Sequence, residues 1–159
     1  MCSLRNVTYL LDNENIGKRR SNVREISRIN HIGLRVSNFE VSRDFYGLLG
    51  FNYITGPGGP EPVAIVEHPS GININFILNA NQTDDANVLM DVATKHTGYT
   101  HVAIEISDKK AVLEKLEQLN IPLSGGPMEH PTGTSFFIRD PDNNVVEFIE
   151  YKGLGEFLK

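Results

Sequence analysis

From Arg28 onward, apolar positions fall into short alternating runs broken by two longer, helix-spaced stretches. Ile29 to Val36 reads as a strand, and Ser37-Asn38 as the cap of a helix. Phe39 to Leu49 then sets Val41, Phe45, Leu48 and Leu49 on one side of that helix, which Gly50 ends. Phe51 to Ile54 begins a second strand, and Gly56-Pro-Gly-Gly-Pro60 reads as a turn-rich loop. Val63 to Glu67 and Ile72 to Leu78 are further strands, joined by the turn His68-Pro-Ser-Gly71.

The same order then returns. Thr100 to Ile106 is a strand, Asp108 to Leu119 a helix and Pro122-Leu123 a short strand. Ser135 to Ile138 and Val145 to Tyr151 form a hairpin around Arg139-Asp-Pro-Asp-Asn-Asn144. Between the copies, Asn79 to Gly98 is a polar linker with a short apolar segment at Val88 to Val92. Residues 1–27 form an N-terminal extension: Asn6 to Leu11 suits one strand, but Asp12 to Ser27 is polar and aperiodic. The expected organisation is this extension, a first βαβββ module with linker over 28–92, and a second module with C-terminal tail over 93–159.

The two copies echo each other residue by residue. His31-Ile-Gly-Leu-Arg-Val-Ser37 aligns with His101-Val-Ala-Ile-Glu-Ile-Ser107 at an offset of seventy, and Leu49-Gly50-Phe51 still falls on Leu119-Asn120-Ile121. Each copy opens with a histidine on a strand. Because alternate strand residues share a face, His31 lies with Gly33 and Arg35, and His101 with Ala103 and Glu105. Asn75 and Glu147 hold corresponding places on the last strands of the copies. Two imidazoles, one carboxylate and one amide therefore form a candidate site. A carboxylate in a strand reading Val-Val-x-Phe-Ile is costly without a partner, which favours a divalent ion held by His31, His101 and Glu147. Asn75 would be a weak fourth ligand or a hydrogen-bond partner of the substrate.

Composition narrows the setting. The net charge of −5 offers no broad basic face, which argues against nucleic acid or an anionic membrane as partner. Cys2 is the sole cysteine, so no intrachain disulfide can form and a reducing compartment is expected. No apolar run approaches membrane-span length and the N-terminus lacks the pattern of a secretory signal, so the expected location is cytoplasmic.

His31 in Ile-Asn-His-Ile-Gly-Leu-Arg-Val, the segment Asp44-Phe-Tyr-Gly-Leu-Leu-Gly-Phe51, His101 in Tyr-Thr-His-Val-Ala-Ile, and Arg139-Asp-Pro-Asp-Asn-Asn-Val-Val-Glu147 together resemble the vicinal oxygen chelate superfamily, the glyoxalase, bleomycin-resistance and dioxygenase group. The resemblance covers about residues 28–151. It implies an α+β fold of two tandem βαβββ modules forming an incomplete barrel around a metal-binding cleft, and a homodimer whose sites can lie between modules of different subunits. It also implies a divalent ion (Ni, Co, Zn, Mn or Fe) and a small-molecule substrate, a thiol adduct among the candidates. Glyoxalase I-like chains place a glutamate where this chain has Asn75. Arg35 and Asn79 fall where bacterial glyoxalase I-like chains place glutathione-binding groups, so Arg35, Asn75 and Asn79 are the expected substrate contacts. Extradiol dioxygenases use a His, His, Glu set like His31, His101 and Glu147, but this chain has Phe137 where they usually carry a tyrosine. The favoured expectation is a metal-dependent lyase or isomerase with Glu147 as catalytic group and ligand. An Fe(II) dioxygenase and a metal-free binding or resistance protein are the alternatives. His68 and His130, each beside a proline, read as loop residues.

Overall fold

The computed structural model describes residues 23–80 and 86–154. The strand expected at Asn6 to Leu11 lies outside the described residues, and 23–30 form no regular element. The elements are β1 (Ile32–Arg35), α1 (Phe39–Leu48), β2 (Asn52–Gly58), β3 (Val63–Glu67), β4 (Asn73–Ile77), β5 (His101–Glu105), α2 (Lys109–Gln118), β6 (Gly125–His130), β7 (Gly133–Arg139) and β8 (Val145–Tyr151). They build two four-stranded sheets, ordered β1-β4-β3-β2 and β5-β8-β7-β6, with no closed barrel. In each sheet the first and last strands pair parallel, as a helical crossover allows, and the remaining pairs are antiparallel hairpins.

The echo continues into the backbone. Asn38 and Asp108 cap their helices identically, each accepting the N–H of the third residue on, Val41 and Ala111. Gly50 and Asn120 end the helices in the left-handed region, at φ +92° and +55°. Gly56-Pro57 and Gly126-Pro127 occupy equivalent places, both with cis peptides and both glycines at positive φ. A Cβ on Gly56 would lie 2.5 Å from the Val63 carbonyl oxygen, and one on Gly126 2.7 Å from that of Ser135, so only glycine fits.

These Gly-Pro steps account for two departures from the expected elements. The stretch after Ile54 is not a loop: β2 continues to Gly58 through two register shifts. Likewise Pro122-Leu123 forms no strand, and the edge strand is β6, with its own shift between Gly125 and Met128. Bulged strands lose the two-residue alternation by which a sequence announces them. The expected face of α1 is also rotated. Val41 and Leu48 are half exposed, whereas Ser42 and Tyr46 are buried. Phe45 and Leu49 do face inward as expected, packing against both hydrophobic clusters.

Helix α1 therefore serves both modules. Phe76, Val66 and Ile74 form the core beneath the first sheet, and Phe136, Ile138 and Val146 that beneath the second. Tyr46 stacks edge-on against Phe45 and Phe51, and its hydroxyl donates to Asp140 Oδ2 at 3.2 Å. Asp140 Oδ1 also accepts the backbone N–H groups of Asp142 and Asn144, closing the β7–β8 turn. Burial pushes the Asp140 carboxyl upward despite hydrogen bonds from Asn144 and Tyr46, and burial with the Asp140 charge pushes the Tyr46 phenol well up. Asp142 reaches back to the first module, accepting the Ser37 N–H at 3.2 Å.

The linker segment Val88 to Val92 is a turn rather than an apolar core piece, with Asp91 paired to Arg139 at 2.7 Å. No helix among the described residues is long and apolar enough to cross a membrane.

Removing the Tyr46 hydroxyl by Tyr46→Phe leaves a buried carboxylate one donor short. Urea unfolding should show a loss of about 1–3 kcal/mol. Glu129 of β6 is held at about 2 by hydrogen bonds from Thr134 and Lys109. A depressed carboxyl stabilises the fold above its unfolded value of 4.5 and loses that contribution as pH falls toward 2. Stability curves of Glu129→Gln should therefore be flatter than wild type across that acid window.

Candidate functional site

Each sheet carries its helix on one face and leaves the other open. On β1 the inward residues are Ile32 and Leu34, while Gly33 and Arg35 are exposed. On β5 Val102 and Ile104 point to the core, while His101, Ala103 and Glu105 are exposed. The strand registers place Asn75 between Gly33 and Ile65, and Glu147 between Ala103 and Phe137. Asn75 and Glu147 thus occupy equivalent sites on the two open faces. The first-strand neighbour has at most a methyl side chain in both cases, which leaves room above the polar group.

The spacing from histidine to final-strand residue differs by two between the copies, 44 against 46, and the register locates the difference. Gly58 pairs with Val63 at the end of the first hairpin, and the equivalent Met128 pairs with Ser135. The second hairpin then continues to His130 opposite Gly133. His130 is accordingly a strand residue and not the loop residue expected, with ring nitrogens at Thr132 Oγ1 and Ser135 Oγ. His68 does sit in a turn, where its Nδ1 accepts the Ser70 N–H.

In the second module His101 Nε2 lies 3.0 Å from Glu147 Oε2, and Thr100 Oγ1 lies 2.9 Å from the other ring nitrogen. The Glu147 side chain is only 13% exposed, so the imidazole is its main polar partner. In the first module His31 Nδ1 donates to Asn30 Oδ1 at 2.9 Å. That bond leaves Nε2 of a neutral ring with its lone pair free. Asn75 Oδ1 is buried and has no hydrogen-bond partner among the described residues.

An orphan amide oxygen, an oriented imidazole and an imidazole–carboxylate pair are donors suited to a divalent cation. Of these groups, His101 and Glu147 are in direct contact. Among the described residues no three His, Cys, Asp or Glu side chains lie close enough to hold an ion. The second module pairs His101 with Glu147, and the first carries His31 just before β1 and Asn75 on β4.

Arg35 and Asn79 meet farther along the first open face. Arg35 Nε donates to Asn79 Oδ1 at 2.8 Å. The sequence did not single out Glu61, which completes the cluster: Asn79 Nδ2 donates to its Oε1 at 2.8 Å, and Arg35 Nη2 lies 3.5 Å away. Pro62, whose carbonyl accepts the Leu78 N–H, anchors that loop beside β4.

Residues 28–148 match the family model for the Glyoxalase/Bleomycin resistance protein/Dioxygenase superfamily. A lactoylglutathione lyase of Neisseria meningitidis is 30% identical over 134 residues, covering 79% of this chain and 91% of the relative. One from Shigella flexneri is 28% identical over 140 residues, covering 82% and 98%. Among solved structures, a glyoxylase/bleomycin resistance protein/dioxygenase domain from Frankia superposes with a TM-score of 0.64 at 19% identity, over 80% of this chain and 99% of that one.

A buried, unpaired amide oxygen costs stability that an apolar side chain of similar size would not. Metal-free Asn75→Leu should therefore be about 1–2 kcal/mol more stable than wild type in urea unfolding. A loss of stability would show that Asn75 supports the fold rather than a ligand.

Proposed function

Because the chain belongs to the Glyoxalase/Bleomycin resistance protein/Dioxygenase superfamily, we propose that it is a metal-dependent lyase or isomerase acting on a thiol adduct of a small oxo compound. The observation that carries this reading is the direct His101–Glu147 pair on one open face, matched by His31 and the orphan Asn75 oxygen on the other. The lactoylglutathione lyases similar over most of the chain point to the same reaction class.

His31, His101 and Glu147 would hold the ion, with Asn75 supplying a neutral oxygen beside it. When bound, the ion supplies positive charge that stabilises negative charge developing on a substrate oxygen. Glu147 is the group with basic oxygens at this place, and it takes the proton from the carbon next to the substrate carbonyl. His101 Nε2–H donates to that carboxylate in the absence of metal, so binding an ion through Nε2 would move that hydrogen to Nδ1, where Thr100 Oγ1 stands 2.9 Å away to accept it. Arg35 and Asn79 would hold the far end of the substrate, each four residues, about 13 Å, farther along its own chain segment than His31 and Asn75 respectively. This distance suits an extended adduct with its reacting carbon at one end and a polar head at the other.

A second copy of the chain would bring together two half-sites, His31 with Asn75 and His101 with Glu147. Gly33, Ala103 and His101 are exposed on the open faces, and Ile54 (55%) and Met128 (51%) are exposed apolar side chains of the edge strands β2 and β6, which leaves apolar surface for a partner. His31 and Asn75 of one subunit would face His101 and Glu147 of the other.

Elemental analysis should find a divalent metal in protein purified without chelator, and His101→Ala should lose it. With the methylglyoxal–glutathione hemithioacetal as substrate, Glu147→Gln should lower kcat/KM about 10²–10⁴-fold. Mixed His31→Ala and His101→Ala chains should regain activity that neither has alone, since a mixed dimer restores one intact site. A monomer in light scattering, or no recovery on mixing, would rule out the shared site. Oxygen uptake with catechols after ferrous loading, without hemithioacetal turnover, would replace the lyase reading with a dioxygenase.

A further inference from the structure

We infer that the groove between the end of α1 and helix α2 receives the chain's own N-terminal extension, through the apolar face of Asn6-Val-Thr-Tyr-Leu-Leu11.

The repeat supplies the first observation. At the offset of seventy, Ser37, Ser42 and Tyr46 correspond to Ser107, Val112 and Leu116, and the β3–β4 turn corresponds to the β7–β8 turn. The β7–β8 turn crosses to the first module and closes the crevice there. Asp142 accepts the Ser37 N–H and the Ser42 hydroxyl, and Asp140 accepts the Tyr46 hydroxyl. The β3–β4 turn instead folds back on its own module, with His68 bonded to Ser70 and its ring centroid 5.4 Å from that of Phe51. Opposite it lies a groove of about 560 Å³, with Leu49 and Ile72 on one wall and Ile104, Val112 and Leu116 on the other.

The two crevices differ in chemistry. The first offers a backbone N–H and two hydroxyls to a turn that carries carboxylates. In the second, Val112 and Leu116 take the places of those hydroxyls, so a carboxylate there would lose its water without gaining a side-chain donor. Aliphatic walls of this kind stabilise an apolar occupant.

Topology and sequence choose the extension as that occupant. Strand β1 pairs parallel with β4, Ile32 opposite Ile74, so the chain enters β1 at the same end as Ile72, about 5 Å away across one strand spacing. The eighteen residues between Leu11 and Asn30 reach about 60 Å when extended, several times the radius of a domain of this size. Val7, Tyr9 and Leu11 fall on one face of a strand, a narrow apolar edge in an otherwise polar region. Charge agrees with pattern. Residues 1–27 hold five basic and three acidic side chains, a net +2 that leaves −7 on the rest of the chain. Glu105 and Asp108 line the groove against one cation, Lys115. The segment would thus strap the modules together at the second crevice, on the helix side and away from the open sheet faces.

Cys2 is the sole cysteine and stands four residues before Asn6, so a nitroxide attached to it reports where the segment lies. In amide NMR spectra of the full chain, the label should broaden Ile106, Val112 and their groove neighbours severalfold more than Met128 on the β6 edge. Two variants should each remove that selectivity while the spectra stay folded. One joins Tyr9→Ser to Leu11→Ser; the other is Leu48→Glu, at a half-exposed position lining the groove. In a mixture of nitroxide-bearing chains with isotope-labelled Cys2→Ser chains, the groove amides of the latter should stay sharp. Selectivity that survives either variant would overturn the inference. So would broadening in the mixture, which would give the groove to a second copy, or broadening without selectivity, which would leave it to an outside ligand.

Discussion

The hydroxyl of Tyr46 joins the two halves of this protein. Its ring belongs to the core of the first module, against Phe45, Phe51 and Phe76, while its O–H donates to Asp140 in the last turn of the second. Burial makes a charged Asp140 expensive, and the cost is offset only because backbone and side-chain donors surround it. A carboxylate so fully engaged has few alternative positions. It sets the β7–β8 turn, and with it the start of β8 and the placement of Glu147 two residues into the strand. The helix of one module and the functional strand of the other are thereby positioned by a single hydrogen-bonded group.

Around that joint, duplication supplies the scaffold and divergence supplies the chemistry. Helix caps, helix ends and Gly-Pro bulges are the same in both copies because each solves a backbone problem that recurs with the fold. The open sheet faces have drifted apart. One carries an amide with a free imidazole and an Arg–Asn–Glu ring; the other carries an imidazole–carboxylate pair and a longer hairpin ending in His130. Inward residues are constrained by packing on both sides. Those on the open face meet only what binds there, and so are free to specialise.

The difference between Asn75 and its counterpart Glu147 has a definite electrostatic meaning. A site with two imidazoles, one carboxylate and one amide carries one negative charge fewer than a symmetric site with two carboxylates. It also has one basic group in place of two. Of the two equivalent positions, Glu147 alone offers a basic carboxylate, while Asn75 offers a neutral amide.

Much of this was legible in the sequence. The repeat, the two helices with the cap of the first, β3 and β8, and the equivalence of Asn75 with Glu147 all follow from alternation, spacing and capping residues, which are local properties of the chain. Arg35 and Asn79 were singled out only through the family resemblance, and their hydrogen bond emerged from the pairing of β1 with β4. What the sequence left open depended on contacts between distant segments. The bulged strands β2 and β6 lost their alternation, and the rotation of α1 toward Ser42 and Tyr46 came from Asp140 and Asp142 on the far module. Glu61 reached Arg35 only because the first hairpin is short. A repeat specifies equivalent places on two sheets, such as those of Asn75 and Glu147, but it cannot specify how those sheets are set against each other.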